Sequence, residues 1–146
     1  MIDHLRTRAA RAEDAASVWP LVASFATSFT PNRAAFETSF ERALRHDETL
    51  VGVAEVGQSI GGYVLASSHL AFFANSPVVW VEEVMVAEHL RRTGVGAALM
   101  GFVQEWSDST GAAYVSLATR RASAFYGALG FEASATFFRR LNTGIC

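Results

Sequence analysis

The sequence predicts an α+β sandwich, and three observations predict it. Apolar residues recur at helical spacing in some segments and gather in β-rich runs in others. The segments follow the order strand, two helices, three strands, helix, strand, helix, strand, without the strict alternation of a doubly wound sheet. Hydrophobic residues make up 51% and charged residues 18% of 146, enough for one packed core, so residues 1–146 are expected to form a single domain.

Residues 5–10 read as a short first strand of weak alternation. Over residues 13–29, Ala15, Val18, Trp19, Val22 and Phe25 recur at three- and four-residue spacing and predict a helix. Proline inside a helix costs roughly 3 kcal/mol, so a kink or a break into two short helices is expected at Pro20. A second helix is expected to follow Thr30 as cap and Pro31 in the first helical position, with Phe36, Phe40, Ala43 and Leu44 as its buried stripe. Residues 49–56 and 60–67 are β-rich runs on either side of Gly57 and Gln58, which predicts an antiparallel hairpin. Residues 70–77 read as a connection, and residues 78–86, rich in valine and aromatic side chains, as a third β run. A helix over residues 94–108 carries Leu99, Met100, Val103 and Trp106 on one side. Residues 113–119 predict a strand, 122–129 a short helix ended by Gly130, and 135–141 a last strand.

Several classes of function are disfavoured at this level. A net charge of -2, from 12 basic and 14 acidic side chains, provides no basic face for nucleic acid. The single cysteine, Cys146, cannot form an internal disulfide or a zinc site and suits a reducing compartment. No apolar run approaches the ~20 residues of a membrane helix, and the first residues lack the basic-then-apolar pattern of a secretory signal. A cytoplasmic protein with no membrane partner is the expectation. His4, His46, His69 and His89 show no metal-ligand spacing, so no metal is expected. No Gly-x-Ser-x-Gly turn supports a catalytic triad. In each of the pairs Phe72-Phe73 and Phe137-Phe138, one ring is expected in the core, and the other is left to line a pocket or a dimer contact.

The most informative segment is Arg91-Arg92-Thr93-Gly94-Val95-Gly96, which joins the third β run to a helix. A helix start leaves its first backbone N–H groups unpaired and carries partial positive charge, which suits phosphate or pyrophosphate. Gly94 and Gly96 let the backbone approach a ligand closely, and Arg91 and Arg92 add forked, permanently charged donors. A P-loop would need Gly-Lys-Ser/Thr to close the turn, but Ala97 follows Gly96. A dinucleotide fingerprint would need a small residue where Leu99 stands, and would open a βαβ unit. The bland alternative is a plain strand-to-helix turn with exposed arginines.

Together with the preceding Val81-Glu82-Glu83-Val84-Met85-Val86, this segment resembles the central motif of the GNAT superfamily of N-acetyltransferases, Arg/Gln-x-x-Gly-x-Gly/Ala. Arg91, Gly94 and Gly96 fill its defined places. A second motif of that family, Ala-x-x-Phe-Tyr-x-x-x-Gly-Phe, is matched by Ala122, Phe125, Tyr126, Gly130 and Phe131. The segment from Arg8 to Asp14 is similar to the family's first strand and helix start. The resemblance implies a mixed, mostly antiparallel sheet flanked by helices, with a splayed strand pair forming an acetyl-CoA cleft. It implies that backbone groups of Val84, Met85 and Val86 meet the pantetheine arm and acetyl carbonyl. N–H groups of Arg92, Thr93, Gly94, Val95, Gly96 and Ala97 would hold the pyrophosphate beside Arg91. Direct transfer of acetyl from acetyl-CoA to a primary amine of a small molecule or peptide is the implied reaction. Many members have Asn where this chain has Thr119, whose shorter side chain offers a different contact. Homodimers are common in the family, and no residue here demands one.

By the same resemblance Tyr126 takes the position of the acid that protonates the departing thiolate. A phenol of pKa about 10 remains protonated at neutral pH and can donate. The structural alternative is a core tyrosine packed beside Phe125 and Phe131. Glu82 and Glu83 face opposite sides of a regular strand, so one of them is expected to reach the acceptor amine, directly or through water. The resemblance ranks Glu82 first, and apolar neighbours would raise a carboxylate's pKa and improve it as a base. Either glutamate can equally be a solvated or ion-paired group. The alternative function is a non-catalytic acyl-CoA-binding or regulatory module on the same fold. Apolar or neutral residues around 27–36 and 70–77, the regions that shape the acceptor site in the family, disfavour a highly charged acceptor.

Overall fold

The computed structural model describes residues 4–25 and 28–142; Cys146 lies outside them. The first strand, β1 (Leu5–Ala9), leads through a 3-10 turn (Ala12–Asp14) into helix α1 (Ala15–Ser24) and helix α2 (Arg33–Arg45). Strands β2 (Thr49–Val56), β3 (Ser59–Ala71) and β4 (Ser76–Val86) follow, then helix α3 (Val95–Thr110), strand β5 (Val115–Leu117) and helix α4 (Ser123–Ala128). The five strands form one sheet in the order β1-β2-β3-β4-β5. Neighbours from β1 to β4 are antiparallel, and β5 joins β4 in parallel. The α+β reading holds.

Two cores sandwich the sheet. On one face Leu99, Met100 and Val103 of α3 pack on Val64, Val79 and Val81. On the other, Val18 and Leu21 of α1 and Phe40 of α2 pack on Val51, Val53 and Tyr63. Alternate residues of β2 and β3 therefore feed opposite cores, which explains why these strands read as nearly continuous apolar runs.

Several local expectations are corrected. Helix α1 does not break into two at Pro20 but continues through it, because proline forfeits one backbone bond while Val18 and Leu21 stay anchored in the core. It ends at Ser24, short of the expected residue 29. The cap of α2 is Asn32, whose side-chain oxygen accepts from Ala35 N–H at 2.9 Å, in place of Thr30. The expected connection over 70–77 is mostly strand: β3 runs to Ala71, and a 3-10 turn (Phe72–Ala74) with left-handed Asn75 leads directly into β4. No strand forms over residues 135–141, which carry no regular structure. Phe72 and Phe73 at the hairpin tip and Phe137 and Phe138 in the last segment are all largely exposed, so no ring of either pair enters the core.

One polar cluster ties β1 to the start of α1. The Arg8 guanidinium donates to both oxygens of Asp14 at 2.7 and 3.0 Å, and Arg11 N–H donates to the same carboxylate at 2.7 Å. Glu55 on β2 lies 3.2 Å from Arg8 Nε. Hydrogen bonding from Arg8 holds the buried Asp14 carboxyl below the usual carboxylate range, and its carboxylate in turn holds the guanidinium proton more tightly. Because the folded pKa lies below the unfolded one, Asp14 contributes stability that is present above about pH 4 and is lost as pH falls through the folded value. Asp14→Ala is expected to cost about 3 kcal/mol and to lower Tm by about 10 °C at neutral pH, with the deficit shrinking in acid. Thermal melts of both proteins between pH 3 and 7 check this; equal Tm values at pH 7 would contradict it.

Candidate functional site

The site grows from the C-terminal half of β4. The pairing of this strand with β5 covers only Val79 to Val81, opposite Val115 to Leu117. Strand β4 itself runs on to Val86. From Glu82 onward, one edge of β4 therefore has no ladder partner among the described residues, while the other remains paired to β3. An open edge of this kind presents backbone donors and acceptors to anything extended that lies along it.

A bulge re-phases the strand at the same point. Ala66 pairs with Val81 and Leu65 with Glu83, which leaves Glu82 as the additional residue. Before the bulge, Val79 and Val81 belong to the α3 core. After it, Val84 and Val86 pack against that core, and Met85 packs against the α1/α2 core. Without the extra residue the alternation would carry Glu83 to the α3 side. With it, Glu83 accepts a hydrogen bond at 2.7 Å from the hydroxyl of Tyr63, a member of the α1/α2 core. Burial, and then the nearby carboxylate, push the Tyr63 phenol well above its ordinary pKa, so it stays a donor to Glu83. Glu82 is exposed, and its side chain makes no hydrogen bond among the described residues. The regular-strand expectation for the two carboxylates thus gives way to a bulge that singles out Glu83.

Glu83 lines a cavity of about 320 Å³ between α1, α2 and the sheet. Val18, Val22, Phe36, Phe40, Val51 and Leu65 supply most of its apolar wall. The Phe36 ring is fixed between Trp19 and Phe40, with centroids 5.6 and 5.4 Å away.

Beyond Val86, a 3-10 turn (Glu88–Leu90) leads into the glycine turn. Arg92 and Gly94 both adopt left-handed backbone, at φ 64° and 98°. Such a conformation is unusual for arginine, and turns of this kind gather successive N–H groups into an anion-binding concavity. The Thr93 hydroxyl donates to the Leu90 carbonyl, and Arg91 Nε donates to the Val86 carbonyl at 3.4 Å, which fastens the turn to the end of β4. Gly94 caps α3 without a side chain, and the first helical bond runs from Ala98 N–H to the Gly94 carbonyl at 3.0 Å. The N–H groups of Val95, Gly96 and Ala97 have no acceptor among the described residues. Val95 is itself fully buried, so it anchors the turn through its side chain.

Tyr126 stands on the α3 side of the sheet. It packs against that core and meets Phe125 and Phe131 edge to face, at centroid distances of 4.9 and 5.8 Å. Phe125 abuts the first turn of α3: a Cβ built on Gly96 would lie 3.2 Å from its ring. The two sequence motifs are thereby in contact. The Tyr126 hydroxyl makes no hydrogen bond among the described residues, and burial raises the phenol's pKa above its ordinary value. Thr119 Oγ1 accepts from Ala122 N–H at 3.0 Å, so its oxygen serves the turn into α4.

The structure thus brings the glycine turn, the open edge of β4 and Tyr126 together on one side, and Glu83 with Tyr63 on the other. Tyr63 and Asn32 carry no motif signal; only the strand register and the cap reveal them. Among the described residues no group of His, Cys, Asp and Glu is placed to hold a metal ion, and no helix is long and apolar enough to cross a membrane.

A model of the acetyltransferase (GNAT) family matches residues 15–131. Solved structures share the fold at low identity. A transcriptional regulator from Bacillus halodurans C-125 superposes with TM-score 0.84 at 20% identity, covering 95% of this chain and 100% of its own. A glucosamine-6-phosphate N-acetyltransferase from Arabidopsis thaliana gives 0.83 at 17%, covering 95% and 99%. An acetyltransferase from Trypanosoma brucei gives 0.80 at 22%, covering 94% and 99%. No protein of curated function matches the sequence.

Proposed function

Since the chain belongs to the GNAT acetyltransferase family, we propose that it transfers acetyl from acetyl-CoA directly to a primary amine of a small molecule or peptide. One observation carries the reading: the open edge of β4 leads, through one short 3-10 turn, into a glycine turn with two arginines and with N–H groups that have no acceptor among the described residues, a setting suited to an anion. A thioester carrier has a matching shape, with an amide-bearing arm at one end and a diphosphate at the other. Its diphosphate fits the N–H groups of Arg92, Thr93, Gly94, Val95, Gly96 and Ala97, with Arg91 and Arg92 adding charge. Its arm fits the backbone of Val84, Met85 and Val86 as an added strand would.

In this reading the thioester lies at the gap between β4 and β5, with the amine approaching from the α1/α2 side. The ammonium first gives one proton to Glu83, directly or through water, and the freed amine nitrogen attacks the thioester carbon. The C–S bond breaks as the departing sulfur takes a proton from the Tyr126 hydroxyl, and the second N–H proton lost on forming the amide restores the Tyr126 phenol through water. Glu83 takes the base role ahead of Glu82, because it alone of the two lines a cavity. Cys146 is not needed, since no acyl-enzyme forms. A reducing, cytoplasmic setting suits a chain with one cysteine.

The test is release of CoA thiol from acetyl-CoA over a panel of amines, read beside the thermal shift that acetyl-CoA produces. Glu83→Gln is expected to lower kcat by about 100-fold at neutral pH while the shift persists. A kcat unchanged in that variant would remove Glu83 from the chemistry. A solved neighbour of the same fold is a transcriptional regulator, which favours as second reading a non-catalytic acyl-CoA-binding module. An acetyl-CoA shift without thiol release from any amine would select that module.

A further inference from the structure

We infer that the acceptor is a monocationic amine on an aromatic or branched apolar body, the size of an arylethylamine, seated in the cavity between α1, α2 and the sheet with its ammonium on Glu83. The inference rests on the acetyltransferase reading above and adds to it the substrate class.

The cavity's chemistry is uneven. Its wall is made of apolar side chains, and about 320 Å³ is near the lower end for a small-molecule site. Its polar groups are few. Tyr63 has its hydroxyl committed to Glu83, and Asn32 has its side-chain oxygen committed to the cap of α2. Among the described residues Ser39 is the remaining hydroxyl on the lining. Glu83 is the one charged residue there, and no arginine or histidine lies within ion-pair distance of it among the described residues. A partly buried carboxylate beside apolar walls is stabilised by a cation that brings its own apolar cover.

That arrangement discriminates. A second ammonium, as in a polyamine, would enter the apolar wall with no carboxylate to meet it. A phosphate or carboxylate on the acceptor would find no arginine on the lining and would stand beside Glu83 with like charge. An aromatic ring instead meets the rings of Phe36 and Phe40, which neighbouring rings hold in place. The ammonium then has Glu83 within the same cavity, where the adjacent strand edge is the proposed seat of the thioester.

The experiment measures kcat/KM by thiol release with saturating acetyl-CoA for 2-phenylethylamine, tryptamine, phenylalanine, spermidine and glucosamine 6-phosphate. All 12 basic residues of the chain are arginine, so thiol release cannot arise from acetylation of the enzyme's own lysines. The two arylethylamines are expected to exceed the other three by about 100-fold or more, the scale set by an unpaired charge in an apolar site. Ala35→Trp, at an exposed position on the cavity lining, is expected to raise KM for the arylethylamines at least about 10-fold without altering the thermal shift with acetyl-CoA. Equal or better turnover of spermidine, phenylalanine or the sugar phosphate overturns the substrate class and leaves the transferase intact. An unchanged KM in Ala35→Trp overturns the cavity as its seat. A shift with acetyl-CoA but no turnover of any amine overturns the inference together with catalysis, and no shift at all overturns the acetyl-CoA reading beneath both.

Discussion

Gly94→Val and Arg92→Glu are each expected to abolish stabilisation by acetyl-CoA. With acetyl-CoA at 100 times its Kd, a single-site protein gains about 2.7 kcal/mol, or about 8 °C in Tm for a domain of this size. Gly94 sits at φ 98°, and its position is open, so added bulk is not what valine would offend. Valine would offend the backbone: a β-branched residue is strained at that angle and would turn the peptide units that aim N–H groups at the anion. Arg92→Glu replaces an attractive charge by a repulsive one at the same place. Charge-assisted hydrogen bonds contribute about 1.5–3 kcal/mol each, so losing two weakens binding by about 100-fold or more. Arg42→Glu, an exposed change in α2, is the control and should leave the shift as it was. A wild-type shift in Gly94→Val would refute the anion cradle.

Tyr126→Phe is expected to lower kcat by about 100- to 1000-fold with acetyl-CoA binding intact. The substitution keeps the ring, and with it the edge contacts to Phe125 and Phe131 and the packing on the α3 core. Only the hydroxyl is lost, and it holds no partner among the described residues that would be orphaned. Burial raises the phenol's folded pKa, so the protonated, donating form persists to higher pH than in a free tyrosine. The alkaline decline in kcat from this residue is therefore expected above about pH 10. A kcat within about threefold of wild type would return Tyr126 to a packing role.

Much of this was legible in the residues. The glycine turn into α3 was readable because glycine and a helix start act locally: their effect depends on neighbours in sequence. The second motif was readable for the same reason, since the helix over 122–129 and Gly130 lie within one short segment, and Gly130 does adopt left-handed backbone. The ranking of Glu82 over Glu83 could not be read locally. It depends on a bulge that exists only because β3 and β4 pair in a particular register. Tyr63 was invisible for a related reason, being twenty positions away in sequence from the carboxylate it serves. The expected strand over 135–141 failed because β-rich composition describes a surface that can pair, whereas forming a strand requires a partner edge.

By itself the sequence determined the α+β class, the order of most elements, the glycine turn and the position of Tyr126, because periodicity, glycine and helix-start chemistry are properties of short stretches. Tertiary structure alone decided which carboxylate lines the cavity between α1, α2 and the sheet, where β4 loses its partner, and how the two motifs touch through Gly96 and Phe125. Those depend on strand register and on contacts between distant segments, and a shift of one residue in register exchanges the two faces of a strand.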